Sequence, residues 1–163
     1  MRAVFLAFLA AVLPMAVWAA PAADAITGIW LNSEKTGYIQ VYQTESGDYA
    51  GQVVGATDGE VRDDTENPDP AKRDQSLLGQ QIMHGFTWNG EDGWEEGRVY
   101  DPDNGKTYDG WIALKGPDKM ELHGYIWFSL IGRSEIWTRV EGMPENVVQK
   151  VLVASPKNPD ERK

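Results

Sequence analysis

The sequence predicts an all-β fold: an antiparallel up-and-down barrel of about eight strands with a short C-terminal helix. Three observations predict it. Runs rich in Val, Ile, Tyr and Trp recur from Ile26 to Val140, parted by Gly, Pro, Asn and Asp clusters, as in sandwiches and barrels. Most connections are short, which favours antiparallel neighbours. Glycines inside the runs (Gly51, Gly85, Gly97, Gly110 and Gly124) suit bends and bulges where a sheet closes on itself.

Ahead of the barrel, Arg2 precedes an apolar run from Ala3 to Val17 that Pro14 interrupts, and small residues follow. That order is a secretory signal peptide over residues 1–23, cut between Ala19 and Ala25. The run falls short of the roughly 20 apolar residues that span a bilayer. The expectation is therefore an exported protein with no membrane anchor.

The barrel domain is placed at residues 26–153. Its predicted strands are Ile26 to Leu31, Gly37 to Gln43, Tyr49 to Gly55 and Gln80 to Trp88. Trp94 to Asp101, Lys106 to Leu114, Met120 to Phe128 and Arg133 to Val140 complete the set. The central hairpin is the most sharply written: Pro102 presets a turn φ, Asp101 accepts from turn amides, and Gly105 takes a positive φ. Residues 56–79 form a long polar connection, a length that is usually functional. Within it, Asp69-Pro70 predicts one helical turn with Asp69 as N-cap. Val147, Val148, Val151 and Leu152 share one face of a short helix from Pro144 to Leu152. Residues 154–163 read as a disordered polar tail.

The chain has 163 residues, no cysteine and a net charge of −10. The absence of cysteine excludes disulfides, thiol catalysis and cysteine metal sites. The charge opposes nucleic acid and anionic membrane surfaces. With only His84 and His123 as histidines, no metal-ligand spacing appears. Asp101 to Gly105 lacks the glycine and glutamate positions of a calcium loop. Neither a metal nor a cofactor is expected. No nucleophile elbow is present, and neighbours such as Glu95 and Glu96 should point to opposite faces of a strand. An enzyme of unknown reaction is therefore the third-ranked reading. The aromatic content, seven Trp and six Tyr, points instead to core packing and a lined pocket.

The residues then support a resemblance. Gly28-Ile29-Trp30 in the first strand, with Arg139 after Trp137 in the last, resembles the lipocalin-like (calycin) barrels. Asp64-x-x-Asn67-Pro68, Arg73, Leu78-Gly79, Trp94-x-x-Gly97-x-x-Tyr100-Asp101-Pro102-x-x-Gly105-Lys106-Thr107-Tyr108 and Gly132-Arg133-x-x-x-Trp137-x-Arg139-Val140 resemble a family of uncharacterised exported bacterial proteins, domain of unknown function 2147. Gln75-Ser76 stands where that family's Arg-Pro is expected, and no cysteine accompanies Gly51. The resemblance implies a small periplasmic or secreted bacterial barrel with a cavity and no established activity.

The resulting expectation is an exported barrel that binds a small, partly apolar ligand, amphipathic and anionic in one variant, without covalent chemistry. Tyr100, Lys106, Tyr108, Trp127, Trp137 and Arg139 are its candidate ligand contacts, with Lys106 or Arg139 meeting a carboxylate or phosphate. Alternation along the strand sets Tyr108 inward and Trp111 outward. Trp30, Asp64, Asn67, Arg73 and Asp101 are expected to be structural. Trp30 should stack under Arg139, and Asp64, Asn67 and Arg73 should hold the long connection over the barrel mouth. The rival is a protein-binding or envelope-assembly module that presents the Tyr100–Tyr108 hairpin as its tip.

Overall fold

The computed structural model describes residues 21–126 and 132–154. The predicted signal peptide up to residue 20, Trp127 and the predicted tail beyond residue 154 lie outside them. Eight strands form: β1 (Gly28–Leu31), β2 (Gly37–Gln43), β3 (Tyr49–Ala56), β4 (Gln81–Trp88), β5 (Gly93–Asp101), β6 (Lys106–Leu114), β7 (Lys119–Tyr125) and β8 (Gly132–Arg139). Each pairs antiparallel with the next, and β1 pairs with β8 to close the barrel. The predicted strand order and number are those of the structure.

Period-two alternation sends one set of side chains inward. Trp30, Ile39, Val41, Tyr49, Met83, Phe86, Trp94, Ile112, Met120, Leu122 and Trp137 are buried in one cluster. Two interior glycines make room for them. A Cβ on Gly97 would overlap the Phe86 ring, and one on Gly51 would lie 2.8 Å from the Met83 sulfur. The described interior is thus packed with side chains, and large residues fill the space opposite the missing ones.

Up-and-down order gives the barrel two unlike ends. At the base, residues 22–27 make turns instead of the first residues of a strand. Ala25 N–H donates to Ala22 O, and Thr27 N–H to Asp24 O. The Ile26 carbonyl accepts from the Trp30 indole at 2.8 Å. For that reason β1 starts at Gly28, two residues later than predicted. Gly28 sits at φ 132°, and a Cβ there would lie 2.8 Å from an Arg139 nitrogen. The glycine clears a berth for the guanidinium, which stacks 4.2 Å from the Trp30 ring as expected.

At the rim, the β3–β4 connection is ordered. Its 3-10 turn, Pro70–Lys72, has Asp69 accepting from Ala71 N–H as predicted. Its flanks pair with each other: Asp64 N–H donates to Gln75 O, and Leu77 N–H to Arg62 O.

The predicted C-terminal helix is not formed. Only Gln149–Val151 makes a 3-10 turn. Before it, Glu145-Asn146 make a turn, and the chain then extends, with Val147 bridged to Gly55 and Val148 N–H bonded to Val54 O. Val147 packs with Ile29 and Val54 outside the barrel. Two adjacent β-branched valines favour extended backbone, and the β3 backbone offers them partners. Their apolar spacing fits this strap as well as it fits a helix.

Candidate functional site

The long connection lies against the outer side of the rim, with Asp64 at its root. Val99 pairs with Tyr108 and Tyr100 with Thr107. Tyr108 follows the inward face of Gly110 and Ile112, so Tyr100 and Thr107 face outward. The Tyr100 hydroxyl donates to Asp64 Oδ1 at 2.7 Å, and Asn67 Nδ2 donates to Oδ2 at 2.6 Å. Asp64 is 0 % exposed, yet each of its oxygens keeps spare acceptor capacity. Burial, followed by the hydrogen bond and charge of Asp64, pushes the Tyr100 pKa up to about 12. Tyr100 is therefore held as a donor.

The rest of the connection is pinned around this bond. Arg73 Nε donates to the Asn67 carbonyl at 2.8 Å, and Arg62 pairs with Asp103 on the hairpin. A Cβ on Gly105 would overlap the Glu66 carbonyl and touch Pro68, so the hairpin tip is clasped by the connection. Asp64, Asn67 and Arg73 tie the connection to β5 and to itself, and not over the barrel mouth as expected. Because Tyr100 points outward, the connection flanks the rim and does not cap the interior.

Between connection and strands lies a hollow of about 400 Å³, lined by Asp64, Asn67, Lys72, Gln80, Tyr100 and Thr107 among others. Gln75 and Gln81 add further amides, and Pro68 an apolar edge. The volume is that of small-molecule sites. Lys72, the glutamines and Thr107 were missed by sequence reasoning. Only the length of the connection hinted at them.

The expected ligand contacts do not converge. Tyr100 reaches this hollow. Tyr108 faces inward on the other side of the sheet, where its hydroxyl accepts from Asn104 at 3.0 Å. Lys106 is exposed on the hairpin and makes no ion pair among the described residues. Trp137 is core, with its indole N–H directed at Glu135 at 3.3 Å. Arg139 lies at the opposite end and donates to the carbonyls of Pro117, Thr27 and Ala25. Its fork is spent on backbone, which removes it as an anion ligand. Asp101 does the predicted turn work, accepting from Asp103 N–H and Asn104 Nδ2.

A second hollow, of about 350 Å³, lies on the outer face of β5–β7 and is lined by Glu95, Glu96, Trp111 and Tyr125. Trp111 stacks on His123 with ring centroids 5.0 Å apart at 14°, and Tyr125 sits 6.1 Å from the same imidazole. His123 Nδ1 shares a hydrogen with Ser134 Oγ at 2.8 Å. The expectation that Glu95 and Glu96 diverge is corrected here. The β5–β6 register shifts between Trp94 and Gly97, and Glu96 takes φ 61°. A bulge of this kind breaks strict alternation and turns both carboxylates to one side.

The family model described as "Uncharacterized protein conserved in bacteria (DUF2147)" matches residues 28–139. Among curated proteins, no sequence matches the chain. One solved structure is similar, described as "Protein HP1028 from the human pathogen Helicobacter pylori belongs to the lipocalin family". It is 22% identical, with a TM-score of 0.65, over 71% of this chain and 83% of that one. That likeness concerns the fold.

Proposed function

The chain belongs to the DUF2147 family of uncharacterized bacterial proteins, and we propose that it is an exported barrel that binds a small, partly apolar ligand non-covalently in the rim hollow. The carrying observation is Asp64: a fully buried carboxylate, fixed by Tyr100 and Asn67, at the wall of a space of about 400 Å³. Both of its oxygens are bonded, so Asp64 fixes this wall in place. A ligand donor group facing the amides of Gln75 and Gln81, an anionic or accepting group facing Lys72, and apolar surface against Tyr100 and Pro68 would suit this lining. The packed interior supports placing the ligand here and not inside the barrel.

The rival reading, a recognition tip at the Tyr100–Tyr108 hairpin, loses support because the connection covers that tip at Gly105. Native mass spectrometry of protein purified from the envelope of its own cells tests the proposal. A retained small-molecule mass is expected, and it should be absent from a Thr107→Trp variant, whose indole fills the hollow. A wild-type protein without added mass, or a variant that keeps it, overturns the assignment. Amino-terminal sequencing of the same sample should start between Ala20 and Ile26, whereas an intact Met1 would refute export.

A further inference from the structure

We propose that the hollow on the outer face of β5–β7 is a second site, for a small organic ammonium cation. This site is separate from the rim hollow and does not rest on it. Its walls divide the work of cation recognition. Trp111 and Tyr125 line it with aromatic surface, and aromatic quadrupoles attract cations. Glu95 and Glu96 supply the counter-charge on the same side of the sheet.

Three observations argue for an occupant rather than a solvated charged face. Among the described residues neither glutamate makes an ion pair, and Glu95 accepts from Asn89 Nδ2 alone, at 3.1 Å. Arg98, a cation on the same strand, is directed at Asp109, 3.6 Å away, so it does not fill the hollow. The aromatic wall is held in place: Trp111 is stacked on His123, which Ser134 orients.

The ring faces decide the class of cation. A metal ion or an extended polyamine has no need of an apolar wall, and two carboxylates alone would serve it. An alkylated ammonium spreads its charge over methyl groups, cannot satisfy a hydrogen-bonding cage, and gains from ring contact. The hollow, at about 350 Å³, has room for such a head group with a short substituent.

The test is titration of the full chain with choline, followed by tryptophan fluorescence and by the indole N–H resonance of Trp111. A saturable response is expected. The neutral isostere 3,3-dimethyl-1-butanol should bind at least about tenfold more weakly, because it keeps the shape and loses the charge. The Glu95→Gln, Glu96→Gln double variant should also lose at least about tenfold in choline affinity, and Trp111→Leu should lose the response. Both glutamates are exposed and glutamine is isosteric, so the double variant decides the matter even if Trp111→Leu fails to fold. No saturable response to choline, equal binding of the neutral isostere, or unchanged affinity in the double variant each overturns the proposal.

Discussion

The two ends of the barrel use buried polar side chains in opposite ways. At the base, Arg139 directs its guanidinium at three backbone carbonyls and lays its face on Trp30. Burial pulls its pKa down, but an arginine stays charged, and each of its three nitrogens donates to a backbone carbonyl. At the rim, Asp64 is more deeply buried than Arg139, bonds two neutral donors and borders a hollow. A side chain bonded to backbone closes a structure, whereas one bonded to side chains beside a hollow shapes a wall. Conspicuous residue type does not tell the two apart, since the arginine was the more noticeable in the sequence.

Breaking the base should cost most. Arg139→Met leaves the carbonyls of Ala25, Thr27 and Pro117 without their partner and removes the stack, a loss of about 3 kcal/mol in urea unfolding. Occupancy of the rim hollow should survive in the folded fraction. Asp64→Ala comes next, at about 2 kcal/mol. It should also raise amide exchange across residues 57–78 while leaving the base protected; uniform protection throughout would erase the contrast between the ends.

Strand positions, the central hairpin and the Trp30–Arg139 closure were legible because each is written locally or by a residue pair with one geometric use. Gly28 is glycine because Arg139 passes beside it, and the two types together announce that contact. The C-terminal strap was not legible, since Val147 and Val148 suit either a helix face or an extended pairing, and only the free backbone of Val54 and Gly55 decides. The convergence of Glu95 and Glu96 was hidden for a similar reason. A bulge is a register event between two strands, and a period-two reading of one strand cannot contain it. The ligand contacts failed as a set because strand polarity sends Arg139 to the base and Lys106 to the rim.

The smaller predictions sharpen the rim side. Tyr100 has a folded-state pKa of about 12, above the ordinary value of about 10. The folded chain thus keeps a proton that the unfolded chain releases. The resulting stability is whole below pH of about 10 and is lost as pH rises toward 12. Tyr42 and Tyr49 are also raised by burial, so the measure is the difference between wild type and Tyr100→Phe. The variant should be less stable by about 1 kcal/mol at neutral pH and should lose stability less steeply above pH of about 10. Equal alkaline slopes would show that the Asp64 bond is not felt. Smallest of all, Lys106→Met should change stability by less than about 0.5 kcal/mol and leave any ligand retained at the rim in place. A large effect of that variant would move the site back to the hairpin.

The seam between β1 and β8 sets the order in which the molecule assembles. It is registered through two residue pairs, Trp30 with Arg139 and Leu31 with Thr138, and one of its locking bonds joins residues 112 apart. Hairpins such as β5–β6 draw on neighbours and form on the order of microseconds. The seam must instead close a loop that includes nearly the whole domain, and such distant contacts make folding slow. Trp30 gains its Arg139 cover only when this seam closes, and under thermal load the short seam is where the cylinder should first open.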